Sequence, residues 1–135
     1  MCGIVGYIGD KKTLPILIKG LKRLEYRGYD SAGIAYEKKN KIYLEKEVGR
    51  IQNLEKKLNL EEESYIGIGH TRWATHGKVT KTNSHPHQVN KVTLVHNGII
   101  ENYQELKKEL IEKGYHLKTE TDSEVACAYI DYTLR

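Results

Sequence analysis

The chain begins with a strand pattern that carries a cysteine directly behind the initiator methionine. In the run MCGIVGYIG, apolar residues are interleaved with glycines, which predicts a buried, close-packed strand over residues 3–9. Removal of Met1 would leave Cys2 with both a thiol and a free α-amine, whose ordinary pKa values are about 8.5 and about 7.7–8.0. One residue would then hold a nucleophile and its base. Because cysteine at position 2 also occurs without any catalytic role, the rest of the chain decides between the two interpretations.

Composition narrows the class of protein. With 135 residues, of which 39% are hydrophobic and 30% charged, the sequence predicts one ordinary globular domain. No apolar run approaches the length of a membrane span and no secretory signal is visible, so we expect a cytoplasmic protein that does not bind membranes. The net charge of +4 is spread among acidic residues, which argues against nucleic-acid binding. Two cysteines do not make a disulfide framework.

Hydrophobic periodicity predicts an α+β domain in which strands pack against helices. Helices are expected over 14–26 with Thr13 as cap and Gly28 past its end, over 50–60, after Asn102, and from Thr121 to the C-terminus. Asn102 with Glu105, and Thr121 with Glu124, have the spacing of capping boxes. Strands are expected over 3–9, 32–36, 41–45, 65–70, 92–95 and 115–118, with a hairpin at Lys39-Asn40 and a long irregular segment over 71–90.

Polar residues that suit catalysis gather where predicted strands end or loops begin, in 27–31, 70–77 and 96–98. The planar guanidinium of Arg72 beside Trp73 suits binding of a carboxylate under an aromatic cover. Asn97-Gly98 offers a side-chain amide and a backbone N–H, the two donors that an oxyanion hole needs. Asp122 in the first turn of a helix could hold a substrate ammonium.

Each of these features also has a purely structural interpretation. Arg72 could form a surface ion pair and Trp73 could belong to the core. Asn97-Gly98 is also a common hairpin turn. Asp122 could simply stabilise the N-terminus of its helix. The residues alone leave these alternatives open.

Five of the six histidines lie between residues 70 and 96, which raises the question of a metal site. Neither an HExxH pattern nor a Cys-x-x-Cys pair is present, and a His-Pro-His triplet does not supply a tetrahedral site. The glycines of the first strand match neither a dinucleotide fingerprint nor a Walker loop. We therefore expect no metal and no cofactor.

Several motifs together resemble a known family. The motifs are MCGIVGYIG (1–9), LEYRGYDSAGIA (24–35), GHTRWATHG (69–77), NSHPH (83–87), HNGIIENY (96–103) and TETDSE (119–124). Through them the chain is similar throughout its length to the class II glutamine amidotransferases and, within them, to the N-terminal glutaminase domain of the glutamine–fructose-6-phosphate aminotransferases, or glucosamine-6-phosphate synthases. The resemblance implies the N-terminal-nucleophile (Ntn) hydrolase fold, an αββα sandwich with helices outside and two sheets inside.

The resemblance also implies catalytic roles. Cys2, freed by removal of Met1, would be the nucleophile, with its own α-amine as general base. Asn97 and Gly98 would form the oxyanion hole, and Arg27 would support the surroundings of the nucleophile. Attack on the glutamine δ-amide would release ammonia and leave a γ-glutamyl thioester for water to hydrolyse.

Substrate binding follows from the same resemblance. Arg72 would bind the α-carboxylate of L-glutamine and Asp122 its α-ammonium. The loop that closes over the side chain would contain Trp73, Thr75, His76 and Gly77. The other cysteine, Cys127, is expected to be a buried structural thiol.

Glutaminase domains of this family extend beyond 135 residues and precede sugar-isomerase domains that bind fructose 6-phosphate. We therefore expect a truncated glutaminase domain over 1–135, incomplete at its C-terminus, with a synthase half absent and a homodimer through the missing domains left open. The alternative is an inactive fragment that binds glutamine or docks on a partner. A retained Met1 would favour that alternative, because an acylated nitrogen does not act as a base.

Overall fold

A computed structural model describes residues 2–27, 30–73 and 78–135, with the side chain of Arg27 excepted. Its strands are β1 (Gly3–Ile8), β2 (Ser31–Lys38), β3 (Lys41–Val48), β4 (Ile66–Arg72), β5 (His87–Val89) and β6 (Val92–Leu94). Its helices are α1 (Thr13–Leu24), α2 (Ile51–Glu55), α3 (Tyr103–Glu112) and α4 (Asp122–Thr133), with a 3₁₀ turn over Glu25–Arg27. Within the described residues, no helix has the length and apolar character needed to cross a membrane.

The larger sheet is antiparallel, with the strand order β1-β4-β2-β3. β2 and β3 form the predicted hairpin, whose turn residues Lys39 and Asn40 have positive φ angles of 52° and 64°. Such angles at both turn positions match the right-handed twist of the two strands. β1 pairs with β4 so that Gly3 lies opposite Thr71. The start of the chain is therefore placed beside the end of β4.

Helix α1 covers one face of this sheet because its leucines recur at helical spacing. Leu14, Leu17 and Leu21 are fully buried in the main core. Glycines on β4 allow the helix to approach: a Cβ on Gly67 would lie 2.7 Å from the Cγ2 atom of Thr13. Close packing of helix and sheet thus depends on residues without side chains at this contact.

The opposite face of the sheet packs against the small β5–β6 sheet, and α4 lies outside that. The ring of His70 on β4 stacks on His85, just before β5, with centroids 4.0 Å apart. From α4, the Cys127 thiol contacts the carbonyl oxygens of His87 at 3.6 Å and Val92 at 3.2 Å. The layers therefore follow the order α1, large sheet, small sheet, α4, which is the predicted αββα arrangement.

Two predicted caps are wrong and one is confirmed. Thr13 is the first residue of α1 and not its cap, since its N–H donates to the Ser64 carbonyl at 2.9 Å. Asn102 makes no side-chain cap bond, because its backbone (φ −96°, ψ 23°) lies outside the extended region of an N-cap. Thr121 does cap α4, accepting a hydrogen bond from the Glu124 N–H at 3.3 Å.

The largest remaining differences from the predicted elements concern three segments. Segment 115–118 is not a strand, because the N–H groups of Lys118 and Thr119 donate to the Glu124 carboxylate instead of a neighbouring strand. α2 ends at Glu55 and continues only as turns, although Ile51 and Leu54 are buried as expected. The segment 71–90 is less irregular than predicted, since it contains the end of β4 and all of β5. Gly28 lies outside the described residues.

The contact between the two sheets predicts an effect on stability. A Cβ on Gly33 of β2 would lie 1.9 Å from the His85 carbonyl oxygen, whereas one on Gly6 of β1 would meet no atom within 4 Å. Gly33→Ala should lower the free energy of unfolding by at least about 2 kcal/mol because backbone must shift. Gly6→Ala should change it by less than about 0.5 kcal/mol. Denaturant unfolding measures both, and equal values for the two variants would contradict this account of the packing.

Candidate active site

Cys2 is held at the beginning of β1 by its neighbours on β4. The Gly3 N–H donates to the Thr71 hydroxyl at 3.2 Å, which fixes the backbone next to the cysteine. The Trp73 N–H donates to the Cys2 Sγ at 3.3 Å, and that sulfur lies 3.5 Å from the Trp73 carbonyl oxygen. The residue is only 9% exposed. The thiol is thus fixed against the backbone that directly follows β4.

Arg72 is the last residue of β4 and is buried, with 3% of its surface exposed. Its Nη1 atom donates to the Lys78 carbonyl oxygen at 3.1 Å. Alternation along β4 puts Arg72 on the same face as His70, toward the second sheet. The interpretation of Arg72 as a surface residue is therefore wrong. Trp73 is 52% exposed, so it is not a core residue either.

Asn97 and Gly98 lie in the loop that follows β6. The Asn97 Nδ2 donates to the Cys2 carbonyl oxygen at 3.2 Å, which joins this loop to the start of the chain. A Cβ on Gly98 would lie 3.1 Å from the His96 Nε2, so the imidazole leaves little space for a side chain there. The loop does not form a two-residue hairpin turn, since the next regular element is α3.

Asp122 is the first residue of α4 and is buried, with 3% of the residue exposed. Its Oδ2 accepts a hydrogen bond from the Ile100 N–H at 2.8 Å. Capping of the helix is carried out by Thr121, so Asp122 is directed toward the 97–100 loop. One oxygen of the carboxylate thereby fixes the loop that contains Asn97.

These residues line one cavity of about 260 Å³, although they come from four separate parts of the chain. Six of the predicted site residues contribute to its wall: Cys2, Arg72, Trp73, Asn97, Gly98 and Asp122. The rest of the wall is formed by His85, His96, Ile99, Thr121 and Ser123. A buried cation and a buried carboxylate in one small cavity, beside a thiol, suit an α-amino acid with an electrophilic side chain.

Some predicted residues lie outside this description. Thr75, His76 and Gly77 are not among the described residues, and neither is the side chain of Arg27. Their predicted roles stay predictions. In the described ranges, no group of three or more His, Cys, Asp or Glu side chains converges in a way that could hold a metal ion.

The histidine-rich segment instead forms a buried aromatic cluster behind the cavity. His70 stacks on His85, and His87 meets His85 edge-on with centroids 4.6 Å apart. Burial lowers the pKa of His70 from its ordinary value of 6.5 to about 4, and that of His87 to about 3. Burial also lowers the pKa of His85 strongly. All three rings are therefore neutral at pH 7.

Sequence reasoning placed His70 in a polar cluster suited to catalysis and considered the histidines together only as metal candidates. The signal it missed was their spacing relative to the strands: His70 lies at the end of β4, and His85 directly precedes β5. Ser123 was also missed, although it follows Asp122. Its hydroxyl lies 3.3 Å from the Nδ1 atom of His96.

Cys127 differs from Cys2 in its surroundings. It is fully buried in α4 against β5 and β6. Burial raises the pKa of its thiol to about 11, which leaves almost no thiolate at pH 7. The expectation of a buried thiol is confirmed by this position.

The buried histidines predict how stability depends on pH. The native pKa of His87 is below its unfolded value of about 6.5, so its contribution to stability is complete above pH 6.5. That contribution falls as the pH falls toward about 3. Within this window each such histidine should contribute a slope of about 1.4 kcal/mol per pH unit to the free energy of unfolding. His87→Asn should reduce the slope between pH 4.5 and 6 by about that amount.

His116→Asn, which removes an exposed imidazole, provides the matched control, and the slope should fall by more in His87→Asn than in this variant. Denaturant unfolding across this pH range is the measurement. If His87→Asn and wild type showed parallel pH dependence, the assignment of His87 as a buried neutral base would be wrong.

Comparison with known proteins gives three consistent results. The family described as "Glutamine amidotransferase domain" matches residues 55–132. A glutamine–fructose-6-phosphate aminotransferase (isomerizing) of Clostridium perfringens is 60% identical over 135 residues, covering 98% of this chain and 22% of that protein. A protein of the same name from Pyrococcus horikoshii is 56% identical over 138 residues, covering 100% and 23%. The chain spans less than a quarter of the length of these relatives.

Solved structures give the same fold. A glutamine phosphoribosylpyrophosphate amidotransferase from B. subtilis, complexed with ADP and GMP, superposes with a TM-score of 0.80 at 29% identity. A second structure, described as the allosteric regulatory enzyme of purine biosynthesis, has a TM-score of 0.81, also at 29% identity. Each match covers 95% of this chain and 29% of the other. The predicted Ntn-hydrolase fold is thereby confirmed, while its incompleteness at the C-terminus stays a prediction.

Proposed function

This chain belongs to the glutamine amidotransferase domain family, and on that basis we propose that it hydrolyses the side-chain amide of L-glutamine through a thioester on Cys2. The observation that carries the proposal is the single cavity of about 260 Å³ lined by Cys2, Arg72, Asn97 and Asp122. Its volume suits one amino acid, and its polar groups are the ones that glutamine requires. The proposed products are glutamate and ammonia.

Binding of glutamine rests on two buried charges at the cavity wall. The Arg72 guanidinium binds the α-carboxylate, for which its planar pair of N–H groups is matched. The Asp122 carboxylate binds the α-ammonium with the oxygen that the Ile100 N–H leaves available. Fixing both charged groups directs the δ-amide to one place in the cavity, beside the Cys2 sulfur. Trp73, exposed at the rim, covers the substrate together with the predicted loop residues Thr75, His76 and Gly77.

The chemistry begins with removal of Met1, which frees the α-amine of Cys2 to act as base. The amine takes the thiol proton, and the sulfur attacks the δ-carbon of glutamine. The resulting oxyanion accepts hydrogen bonds from the Asn97 side-chain amide and the Gly98 N–H. When the C–N bond breaks, the protonated α-amine returns its proton to the leaving nitrogen, and ammonia departs.

Hydrolysis of the thioester repeats these steps with water. The α-amine takes a proton from water, whose oxygen attacks the thioester carbon, and the same two donors stabilise the second oxyanion. The C–S bond then breaks and the sulfur recovers a proton, which gives glutamate and free Cys2. The Trp73 N–H, 3.3 Å from the sulfur, is placed to stabilise the thiolate in both stages. Arg27 is proposed to support this end of the cavity.

The Asn97 amide has two N–H bonds, which resolves an apparent conflict. One of them is used by the Cys2 carbonyl oxygen at 3.2 Å. The other remains for the oxyanion. The bond to Cys2 therefore fixes the amide relative to the nucleophile without consuming its capacity as a donor.

We extend the proposal to the longer proteins that share this domain. Their name, glutamine–fructose-6-phosphate aminotransferase, gives fructose 6-phosphate as the acceptor. We propose that residues 1–135 form the type-2 glutamine amidotransferase part of such an enzyme and that the released ammonia aminates that sugar phosphate in a separate synthase half. Association as a homodimer through that half is part of the same proposal.

The assignment of the nucleophile is tested with a glutamine analogue that carries a diazoketone in place of the amide. At pH 7 it should label Cys2 once per chain and leave Cys127 unlabelled, because the latter thiol is buried with its pKa raised to about 11. Peptide mapping by mass spectrometry locates the label, and excess L-glutamine should protect the site. Intact mass establishes beforehand that Met1 is absent.

Cys2→Ser provides the control and should take no label. Labelling of Cys127 in place of Cys2 would overturn the assignment. Binding of L-glutamine by a Met1-free protein that takes up no label would instead favour the alternative of an inactive glutamine-binding protein.

The binding role of Arg72 is tested by Arg72→Lys. Lysine keeps the charge but loses the paired N–H groups, so KM for glutamine should rise by about 10-fold to 100-fold. Arg50→Lys is the control, since the side chain of Arg50 is 58% exposed in its ion pair with Glu25. An ammonia-release assay over a range of glutamine concentrations measures both. An unchanged KM for Arg72→Lys would remove Arg72 from the substrate site.

A further inference from the structure

Both polar groups of the His96 backbone are held by imidazoles. The His96 N–H donates to the Nδ1 of His85 at 3.3 Å. The His96 carbonyl oxygen lies 2.9 Å from the Nε2 of His70, and because a carbonyl oxygen only accepts, that nitrogen is the donor. These two imidazoles thus hold the backbone of His96, the residue directly before Asn97 and Gly98, by hydrogen bonds.

The two bonds fix the tautomers of both rings. His85 must be unprotonated at Nδ1, and His70 must be protonated at Nε2 and, as a neutral ring, bare at Nδ1. Among the residues that the structure describes, the buried Nδ1 of His70 has no hydrogen-bond partner. This agrees with an unprotonated nitrogen, which has no hydrogen to donate. The low pKa values of both rings agree with the neutral state.

His85 is itself held from several directions. Its carbonyl group lies against Gly33 of β2, where a Cβ would approach the oxygen to 1.9 Å. The Nζ atom of the half-buried Lys46 donates to the carbonyl oxygens on either side of it, Ser84 at 2.8 Å and Pro86 at 3.3 Å. Its ring is stacked on His70 at 4.0 Å. The Nδ1 atom of His85 is therefore held in a fixed position relative to the large sheet.

The ring of His96 is also anchored, which completes the support of the loop. Its Nδ1 lies 3.3 Å from the Ser123 hydroxyl, and its Nε2 would be 3.1 Å from a Cβ on Gly98. The direction of the Gly98 N–H is set by the peptide that follows Asn97. With the backbone and ring of His96 both fixed, little freedom remains for the two residues after it.

We propose that His85 is a positioning residue for the oxyanion hole: through its Nδ1 it holds the His96 N–H, and thereby aims the Asn97 amide and the Gly98 N–H at the reacting carbonyl oxygen. This inference rests on the proposed glutaminase function and deepens it. His85 does not touch the reacting atoms in this role. The chemistry that matters is a hydrogen-bond acceptor at the position of Nδ1.

Two substitutions separate positioning from packing. His85→Phe keeps a flat ring in the stack but has no acceptor. His85→Asn removes the ring but places its Oδ1 where Nδ1 was. If His85 acts by packing, His85→Asn should lower kcat more than His85→Phe does. If it acts by positioning, His85→Phe should lower kcat more.

Steady-state ammonia release from glutamine is the first measurement. If the oxyanion-hole donors are misdirected, stabilisation of the transition state is lost while binding of glutamine is unaffected. His85→Phe should therefore lower kcat at least about tenfold with KM within about twofold. His85→Asn should retain kcat within about threefold. Leu54→Ala, a core truncation on α2 away from the cavity, controls for loss of stability and should leave kcat unchanged. Equal kcat values for His85→Phe and wild type, or a lower kcat for His85→Asn than for His85→Phe, would overturn the proposal.

The second measurement does not depend on turnover. The His96 amide should exchange with solvent slowly in wild type and His85→Asn, and at least about tenfold faster in His85→Phe. In wild type, the ¹⁵N chemical shift of the His85 Nδ1 at pH 7 should be that of an unprotonated nitrogen. A protonated Nδ1, or exchange rates equal in all three proteins, would refute the positioning role even where a variant folds poorly.

These readouts distinguish the failure of this inference from failure of the proposed function. If wild type released no ammonia while amide exchange and ¹⁵N shifts followed the expected pattern, the proposed function would be wrong. The hydrogen bond by which His85 holds the His96 N–H would still be supported. If wild type were active and His85→Phe equally so, the function would stand and the positioning role would fall.

Discussion

The antiparallel pairing of β1 with β4 is the constraint on which the rest of the structure depends. Gly3 lies opposite Thr71, so the residue before that pair is Cys2 and the residue after it is Arg72. A shift of the register by one residue would turn the side chains of β1 to the other face of the sheet. The glycines on β4 secure this register because α1 packs directly against them. Cys2, the proposed nucleophile, is in this way fixed by a strand although it lies at the beginning of the chain.

The second group of site residues depends on the contact between the two sheets. Asn97 and Gly98 follow β6, and Asp122 begins α4. All three residues therefore reach the cavity only because the small sheet packs on the large one. Neutral histidines form that contact in the place of aliphatic side chains. Imidazoles can pack as flat rings and still hold backbone polar groups, which a leucine cannot do. The same layer therefore supplies cohesion between the sheets and direction to the loop that carries the proposed oxyanion hole.

The fold class, the β2–β3 hairpin and the convergence of Cys2, Arg72, Asn97 and Asp122 could be predicted from the sequence. Hydrophobic periodicity and turn residues are local signals, and the motifs near these residues are specific. The lack of side-chain caps at Thr13 and Asn102 could not be predicted, because the first N–H of each helix donates to a distant or preceding carbonyl oxygen instead of a capping side chain. The strand expected at 115–118 failed for a similar reason, since the Tyr115 N–H donates to the Leu110 carbonyl oxygen and the Lys118 N–H to the buried Glu124 carboxylate. The histidine cluster was visible in the composition, but its function depends on which strands face each other, which only the tertiary structure gives.

The central claim is that the Cys2 sulfur becomes covalently bonded to the δ-carbon of glutamine during turnover. Acid quenching of the Met1-free protein while it consumes glutamine, followed by peptide mapping, tests this claim most directly. The account predicts a γ-glutamyl thioester on the Cys2 peptide, which disappears once glutamine is exhausted. Continued ammonia release with no adduct on Cys2 at any quench time, or an adduct on Cys127, would contradict it.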